Sequence, residues 1–431
     1  MRLQAPSSLP RGAVLILALA AAVLLSYFSI RNAVAVDNAD LQTRQGYERS
    51  TRLEPGDYRN WYLLGRYWQY NLEDTDAAKA GQAYSAALSL NPRSADVWSD
   101  LASVYEAEGN PSGARDAYLH AKRAYPLSPE ISWRYGNFLL RQGELDPAFT
   151  EIRHAVEVDH ALGAQAFSRS RGVEPDVQKI VDRVLPQASD VYVQVISDQV
   201  FEGHIEIALA VWDRLTAIHP RLRLPDVYSL TGDLLKRKKY ADARRVWDQA
   251  VGFAGLGDLQ GPRDSVLWDG GFESGLSGGS FTWLYPVNFQ GVQISIDSRE
   301  THSGNHSLRL TFDGRTNVYF NHICHNVVVE PSTDYRFSAW VRTRELATDQ
   351  GIRFELSPLG TQDGSAVVTS DVHGTQPWSQ VETSWTSGKD VQEMQVCLLR
   401  YASDQEGHRI QGTAWIDDVA LTPAAMKKAK P

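Results

Sequence analysis

The chain has 431 residues, 43% hydrophobic and 22% charged, a globular composition that excludes a wholly disordered protein. Its length predicts about two or three domains rather than one core. A net charge of −9 excludes general affinity for nucleic acid or an anionic lipid surface, and the one dense basic run, Lys236-Arg237-Lys238-Lys239, lacks interleaved aromatics and reads as a solvated corner between helices.

Ala13 to Ile30 is an uncharged stretch of 18 residues rich in Ala, Leu and Val. At ~1.5 Å per residue it is just long enough to cross a hydrocarbon core of ~30 Å. Arg2 and Arg11 precede it, and no acidic residue appears before Asp37. The positive-inside rule therefore keeps residues 1–12 in the cytoplasm and exports the chain beyond Arg31. A cleaved signal peptide is the competing reading, because Ala33-Val34-Ala35 has the small-x-small form of a cleavage site. Against it, the apolar stretch is longer than a usual signal core, and Arg31 stands where cleavage regions are uncharged. The expectation is an uncleaved anchor at 13–30 and a linker over 31–54.

From about 55 to 252 the sequence repeats. Ala80, Ala114 and Ala148 are 34 residues apart, as are Ala87, Ala121 and Ala155, and as are Tyr84, Tyr118 and Ile152. Pro92 and Pro126 close the first two units at the same interval. Upstream, Trp61, Leu64, Gly65 and Trp68, then Trp98, Leu101, Ala102 and Tyr105, give a W-x2-L-G-x2-Y helix. The small residues let paired antiparallel helices approach, and Trp61, Tyr84, Trp98 and Tyr118 are expected to fill the remaining gaps. The pattern fades over 161–195, where Asp176 to Leu185 still reads as a helix. It returns with Ala208, Trp212, Leu215 and Pro220, then Ala243, Trp247 and Ala250. The set resembles the tetratricopeptide-repeat (TPR) family, with about five or six helix pairs. The resemblance implies a concave surface for a peptide or partner protein; a plain spacer is the alternative.

Gly252, Gly255, Gly257 and Gly261 then mark a flexible junction over 253–263. Short alternating strands run from there to 424: Val266–Phe272, Phe281–Pro286, Val292–Asp297, Ser307–Phe312, Val318–Val329, Tyr335–Arg342, Ile352–Ser357, Gln380–Thr386, Met394–Tyr401 and Thr413–Leu421. They imply two packed antiparallel sheets, a jelly roll. Residues 425–431 are a basic tail.

Gly271-Phe272-Glu273 with Trp283, Ser303-Gly304 before Ser307-Leu308-Arg309-Leu310, Pro331 to Val341, and Trp415-Ile416-Asp417-Asp418-Val419 occur in this order. Together they resemble carbohydrate-binding modules of families 4, 9 and 22. Sugar binding needs aromatic rings to stack on pyranose C–H faces and planar polar groups to bond the hydroxyls. Candidate rings are Trp283, Tyr285, Tyr319, Phe320, Trp340, Trp385 and Tyr401, and candidate polar partners are Asn321, His322, Arg336, Arg342, Gln395 and Arg400. Alternation puts Tyr335, Phe337, Ala339 and Val341 in the core and Arg336, Ser338, Trp340 and Arg342 outside; likewise Gln395 and Tyr401 point outward. Trp283 and Trp415 read as core. The expected glycan site is Trp340, Arg336, Arg342, Tyr401, Gln395 and His322. The resemblance further implies that Glu273 and Asp417 hold a structural calcium ion, an acid that caps a loop being the alternative.

His322, Cys324 and His325 cannot form a three-ligand metal site on one strand, because His325 points opposite to the other two. Cys324 and Cys397 match no zinc or redox spacing, and their pairing is open. No nucleotide-binding glycine loop, G-x-S-x-G elbow or H-E-x-x-H helix is present. The fold class expected is multidomain: a transmembrane helix, an all-α TPR solenoid and an all-β jelly-roll sandwich. The function expected is that of a non-catalytic, single-pass protein of a bacterial inner membrane, its bulk periplasmic, that binds glycan and a protein partner in surface polysaccharide assembly, export or retention. A pure protein–protein scaffold and a glycan-active enzyme are the alternatives.

Overall fold

The structure, a computed structural model, describes residues 11–261, 264–286, 288–360, 365–405 and 409–424. Arg2 with the rest of residues 1–10, and the basic tail at 425–431, lie outside the described residues. The chain divides into two compact units, one ending at Pro186 and the other beginning at Gln187.

In the first unit, α1 (Arg11–Asp40) contains an 18-residue window with a mean hydropathy of 2.5 and is long and apolar enough to be a membrane anchor or a signal sequence. The linker expected over 31–54 is helical instead. Helix α1 runs on past Ile30, and α2 (Arg44–Leu53) packs against it. Ala35 and Ala39 are buried, and a Cβ at Gly46 would lie 2.3 Å from the carbonyl oxygen of Asn38. Arg31 Nε reaches Glu54 Oε1 at 2.9 Å, and Thr43 caps α2 by accepting from Gly46 N–H at 3.1 Å. This i, i+4 pattern of small apolar residues is too brief to be told from a linker by periodicity.

The repeats are present at the expected period. Helices α4 (Ala77–Leu90), α6 (Pro111–Ala124) and α8 (Leu145–Val158) each start 34 residues after the last, paired with α3 (Tyr58–Tyr70), α5 (Ala95–Ala107) and α7 (Pro129–Arg141). Ala80, Ala87, Ala114, Ala121, Ala148 and Ala155 are all fully buried. A Cβ at Gly65 would stand 2.5 Å from the Tyr84 ring, so only glycine allows that approach. Tyr84 and Tyr118 fill the helix gaps as expected. Trp61 and Trp98 do so in part: both are half-exposed but packed against the repeat core, and their indole N–H groups donate to the carbonyls of Pro55 (3.0 Å) and Pro92 (2.9 Å). The divergent stretch forms the short helices α9 (Gly163–Arg171) and α10 (Val177–Val184), the second capped by Asp176.

The second unit opens with α11 (Ser189–Phe201), α12 (Ile205–Ala217), α13 (Tyr228–Lys236) and α14 (Tyr240–Phe253). Among the described residues ten strands come next: β1 (Trp283–Leu284), β2 (Val292–Asp297), β3 (Ser307–Asp313), β4 (Phe320–Val328), β5 (Asp334–Ala347), β6 (Arg353–Pro358), β7 (Val367–Val368), β8 (Gly374–Thr386), β9 (Glu393–Arg400) and β10 (Gln411–Pro423). They form two five-stranded antiparallel sheets, β1-β4-β9-β6-β7 and β2-β3-β10-β5-β8, around one apolar core. The strand expected at Val266–Phe272 is absent, because Asp269 and Phe272 adopt positive φ (52° and 58°). That segment still meets β10, Val266 N–H donating to Leu421 O at 2.8 Å.

Residues 253–261, the described part of the expected junction, are not a loose tether; 262–263 lie outside the described residues. Gly255 (φ 71°) ends α14, with Leu256 N–H returning to Val251 O at 3.0 Å. Trp247 of α14 packs edge-on against Trp268 (5.3 Å between centroids) and against Phe281 (5.5 Å). A Cβ at Gly279 would lie 2.3 Å from the Tyr228 ring. Arg244 Nη1 donates to Val266 O at 3.2 Å, and Lys238 Nζ to Gly360 O at 3.3 Å. The last helix pair is therefore packed against the sandwich.

Candidate functional site

Alternation along β9 buries Met394, Val396 and Leu398 and turns Gln395 and Cys397 outward. Register across the sheet then sets Gln395 between Asn326 of β4 and Ser357 of β6, and Cys397 between Cys324 and Glu355. Gln395 Nε2 donates to Asn326 Oδ1 at 2.9 Å, which fixes both amides on the outer surface. Cys324 and Cys397 are joined in a disulfide on the same face. Just beyond β9, Tyr401 is 38% exposed, with the Arg353 guanidinium 5.0 Å from its ring centroid and the exposed Tyr319 ring 6.5 Å away. Two open aromatic rings thus adjoin a row of amide, carboxylate and guanidinium groups. His322, exposed on β4, sits 4.5 Å from the Phe289 ring.

Trp340, Arg336 and Arg342 do emerge together from β5 as alternation requires, but on the outer face of the other sheet. Their partners are internal. Glu382 holds Arg336 through both oxygens at 2.7 Å, and Glu300 meets Arg342 at 3.3 Å. Trp340 stacks on His302 at 3.9 Å and 15°, and Asp418 Oδ2 holds His302 Nδ1 at 2.5 Å. The expected residues therefore do not form one site. Alternation reveals whether a residue faces the core; it cannot tell which sheet carries its strand.

Other candidates are interior. Arg400 is fully buried, its guanidinium bonded to the carbonyls of Val318 and Gln350 (the latter 3.3 Å) and to Asn317 Oδ1 (3.2 Å), and burial pushes its pKa down. Phe320 and Trp385 are buried, as are Trp283 and Trp415. Asn326, Arg353 and Glu355 were not anticipated. The signal for them lay in the apolar partners Val327, Phe354 and Leu356, which turn these neighbours outward.

The opening and closing motifs of the sandwich meet: Val419 N–H donates to Gly270 O at 3.0 Å, and a Cβ on Gly270 would stand 1.7 Å from Val419 O. Glu273 Oε1 accepts from the backbone N–H groups of Asn305 (2.7 Å) and His306 (3.1 Å). Asp417 Oδ2 accepts from those of His302 (2.7 Å) and Ser303 (3.2 Å), and burial pushes its carboxyl up to about 6. A calcium ion needs about six to eight oxygen ligands. These carboxylates are instead ringed by N–H donors that tie down the 302–306 loop, so the pair as arranged does not fit the ion. Among the described residues no group of three or more His, Cys, Asp or Glu could hold a metal. His325 is buried inward, its pKa lowered to about 4 by burial.

In the first unit, residues of α3, α5, α7 and α9 line a cleft of about 530 Å³, among them Tyr70, Glu106, Trp133, Arg134, Arg141 and Arg169.

Residues 71–132 match the tetratricopeptide-repeat family, and residues 264–398 match a carbohydrate binding domain family. The chain thus combines TPR repeats with a domain of the carbohydrate-binding type. Solved structures similar to parts of it include YrrB, a TPR protein with an unusual peptide-binding site (15% identity, 49% of this chain, 94% of that chain, TM-score 0.27). A family 16 carbohydrate binding module is similar at 16% identity (36% of this chain, 99% of that chain, TM-score 0.26). A Clostridium thermocellum endo-1,4-beta-D-xylanase complexed with xylohexaose shows 14% identity over 34% of this chain and 27% of that chain, TM-score 0.25. No curated protein sequence matches the chain.

Proposed function

We propose that the protein is a non-catalytic, membrane-anchored envelope component that binds glycan on the outer face of the β1-β4-β9-β6-β7 sheet and a protein partner through its repeats. The observation that carries the glycan reading is the open Tyr401 ring with the Arg353 guanidinium against it and the exposed Tyr319 ring close by, at one end of a face whose other end carries the fixed Gln395–Asn326 amide pair. A pyranose can stack on the ring beside Arg353, while further sugars of an extended glycan run along Glu355 to the amides, ~20 Å away at ~3.3 Å per strand residue. The family matched by residues 264–398 supports the same reading. An uncleaved anchor is supported by Ala35, buried in a helix that continues the apolar segment and packs on α2, and by the Arg31–Glu54 ion pair. The setting we propose is a bacterial inner membrane with the bulk of the chain periplasmic, in surface polysaccharide assembly, export or retention. A glycan array probed with the detergent-solubilised full chain tests this. Retention of a defined polysaccharide class supports the proposal, and retention of none leaves a protein scaffold and overturns the glycan reading.

A further inference from the structure

The cleft of the first unit carries charge opposite to that of the chain as a whole, whose net charge is −9. Arg134, Arg141 and Arg169 line it, and Arg66 stands against the rings of Tyr62 (5.8 Å) and Tyr70 (5.6 Å). Three carboxylates oppose these four arginines, one of them Glu130, which takes Arg134 Nε at 2.6 Å. Asp100 is buried and takes Arg134 Nη1 at 2.7 Å and the Tyr62 hydroxyl at 3.0 Å. Glu106 takes Arg141 Nη2 at 2.6 Å and the Tyr118 hydroxyl at 2.8 Å. These acids orient two guanidinium groups without consuming all five N–H donors of either. The side chains of Arg134 and Arg141 remain 33% and 58% exposed. Arg66 and Arg169 have no carboxylate partner among the described residues, so the cleft keeps an excess of positive charge.

We propose that this cleft takes an acidic segment of a protein partner, whose Asp and Glu carboxylates pair with Arg169, Arg141 and Arg134 while Trp133 and Tyr70 cover its apolar atoms. The proposal rests on the reading of the repeats as a partner-binding surface and names the chemistry of that partner. Guanidinium groups suit it because they bond a carboxylate through two parallel N–H donors. Half-exposed Trp133 and exposed Tyr70 add ring surface that a small inorganic anion would not use.

The test is selection of phage-displayed random decapeptides on the full chain in detergent. The enriched pool is expected to be rich in Asp and Glu, and the bias should vanish on Arg169→Glu. For a selected acidic peptide, Arg169→Ala should weaken binding about tenfold and Arg169→Lys should restore part of it, with the melting curve unchanged because Arg169 is exposed. Enrichment without an acidic bias would leave a peptide groove but overturn the charge proposal. Failure to enrich any peptide would overturn the partner-groove reading itself.

Discussion

Trp247 of α14 and Trp268 of the sandwich meet edge-on, centroids 5.3 Å apart and planes at 84°, and both are buried. The last helix is therefore packed against the sandwich, although the glycine-rich stretch after it reads as a flexible tether. Trp247→Ala should cost about 3–5 kcal/mol. Thermal unfolding followed by far-UV signal for the helices and near-UV signal for the sandwich should show both moving together. A sandwich signal that holds while α14 melts would contradict the coupling of the two through this contact.

Glu393 at the start of β9 is 9% exposed and near Tyr240, and burial alone pushes its carboxyl up to about 7. The folded state thus binds the proton more tightly than the unfolded chain, where a Glu titrates near ~4.3. Stability from this group is fully present below that value and is lost as pH rises through about 7. Glu393→Gln should raise the unfolding free energy measured in urea at pH 8 by on the order of 3 kcal/mol, with the gain shrinking toward pH 4. Asp417 and His325 titrate in both proteins and cancel from the difference. Parallel profiles for the two proteins would dismiss Glu393 as the source.

Glu273 and Asp417 hold a loop by accepting backbone N–H groups. Chelator should leave the melting temperature of the full chain unchanged, whereas Glu273→Ala should lower stability by about 1–3 kcal/mol through the unsatisfied N–H groups left behind. A clear loss of stability with chelator would restore a calcium ion at this seam.

Cys324 and Cys397 bond β4 to β9 across a separation of 73 residues. Replacing both by alanine should lower stability by about 2–4 kcal/mol. Thiol labelling of the unreduced, denatured protein, taken from its native compartment, should find neither cysteine free. Full labelling would argue against an exported, oxidised domain.

Much of this architecture is legible in the sequence because it is periodic. Ala80, Ala114 and Ala148 announce the repeats, and Phe337 against Trp340 announces an inward and an outward face. What periodicity omits is adjacency. Nothing in the strand patterns says that β9 lies between β4 and β6, so Gln395 and Asn326 could not be paired, nor Tyr401 separated from Trp340. The helical course of 31–54 is hidden because Ala35 and Ala39 are too few to mark a helix face. The packed junction is hidden because Gly279 next to Tyr228 is a tertiary contact.

The central claim is that the Tyr401 face holds glycan, and affinity electrophoresis of the full chain and its variants through gels containing a retained polysaccharide tests it most directly. Tyr401→Ala should abolish retardation, Gln395→Ala should weaken it about tenfold, roughly 1.4 kcal/mol, and Arg336→Ala on the opposite sheet should leave it unchanged. Undiminished retardation of a folded Tyr401→Ala protein, or its loss in Arg336→Ala, would contradict the account.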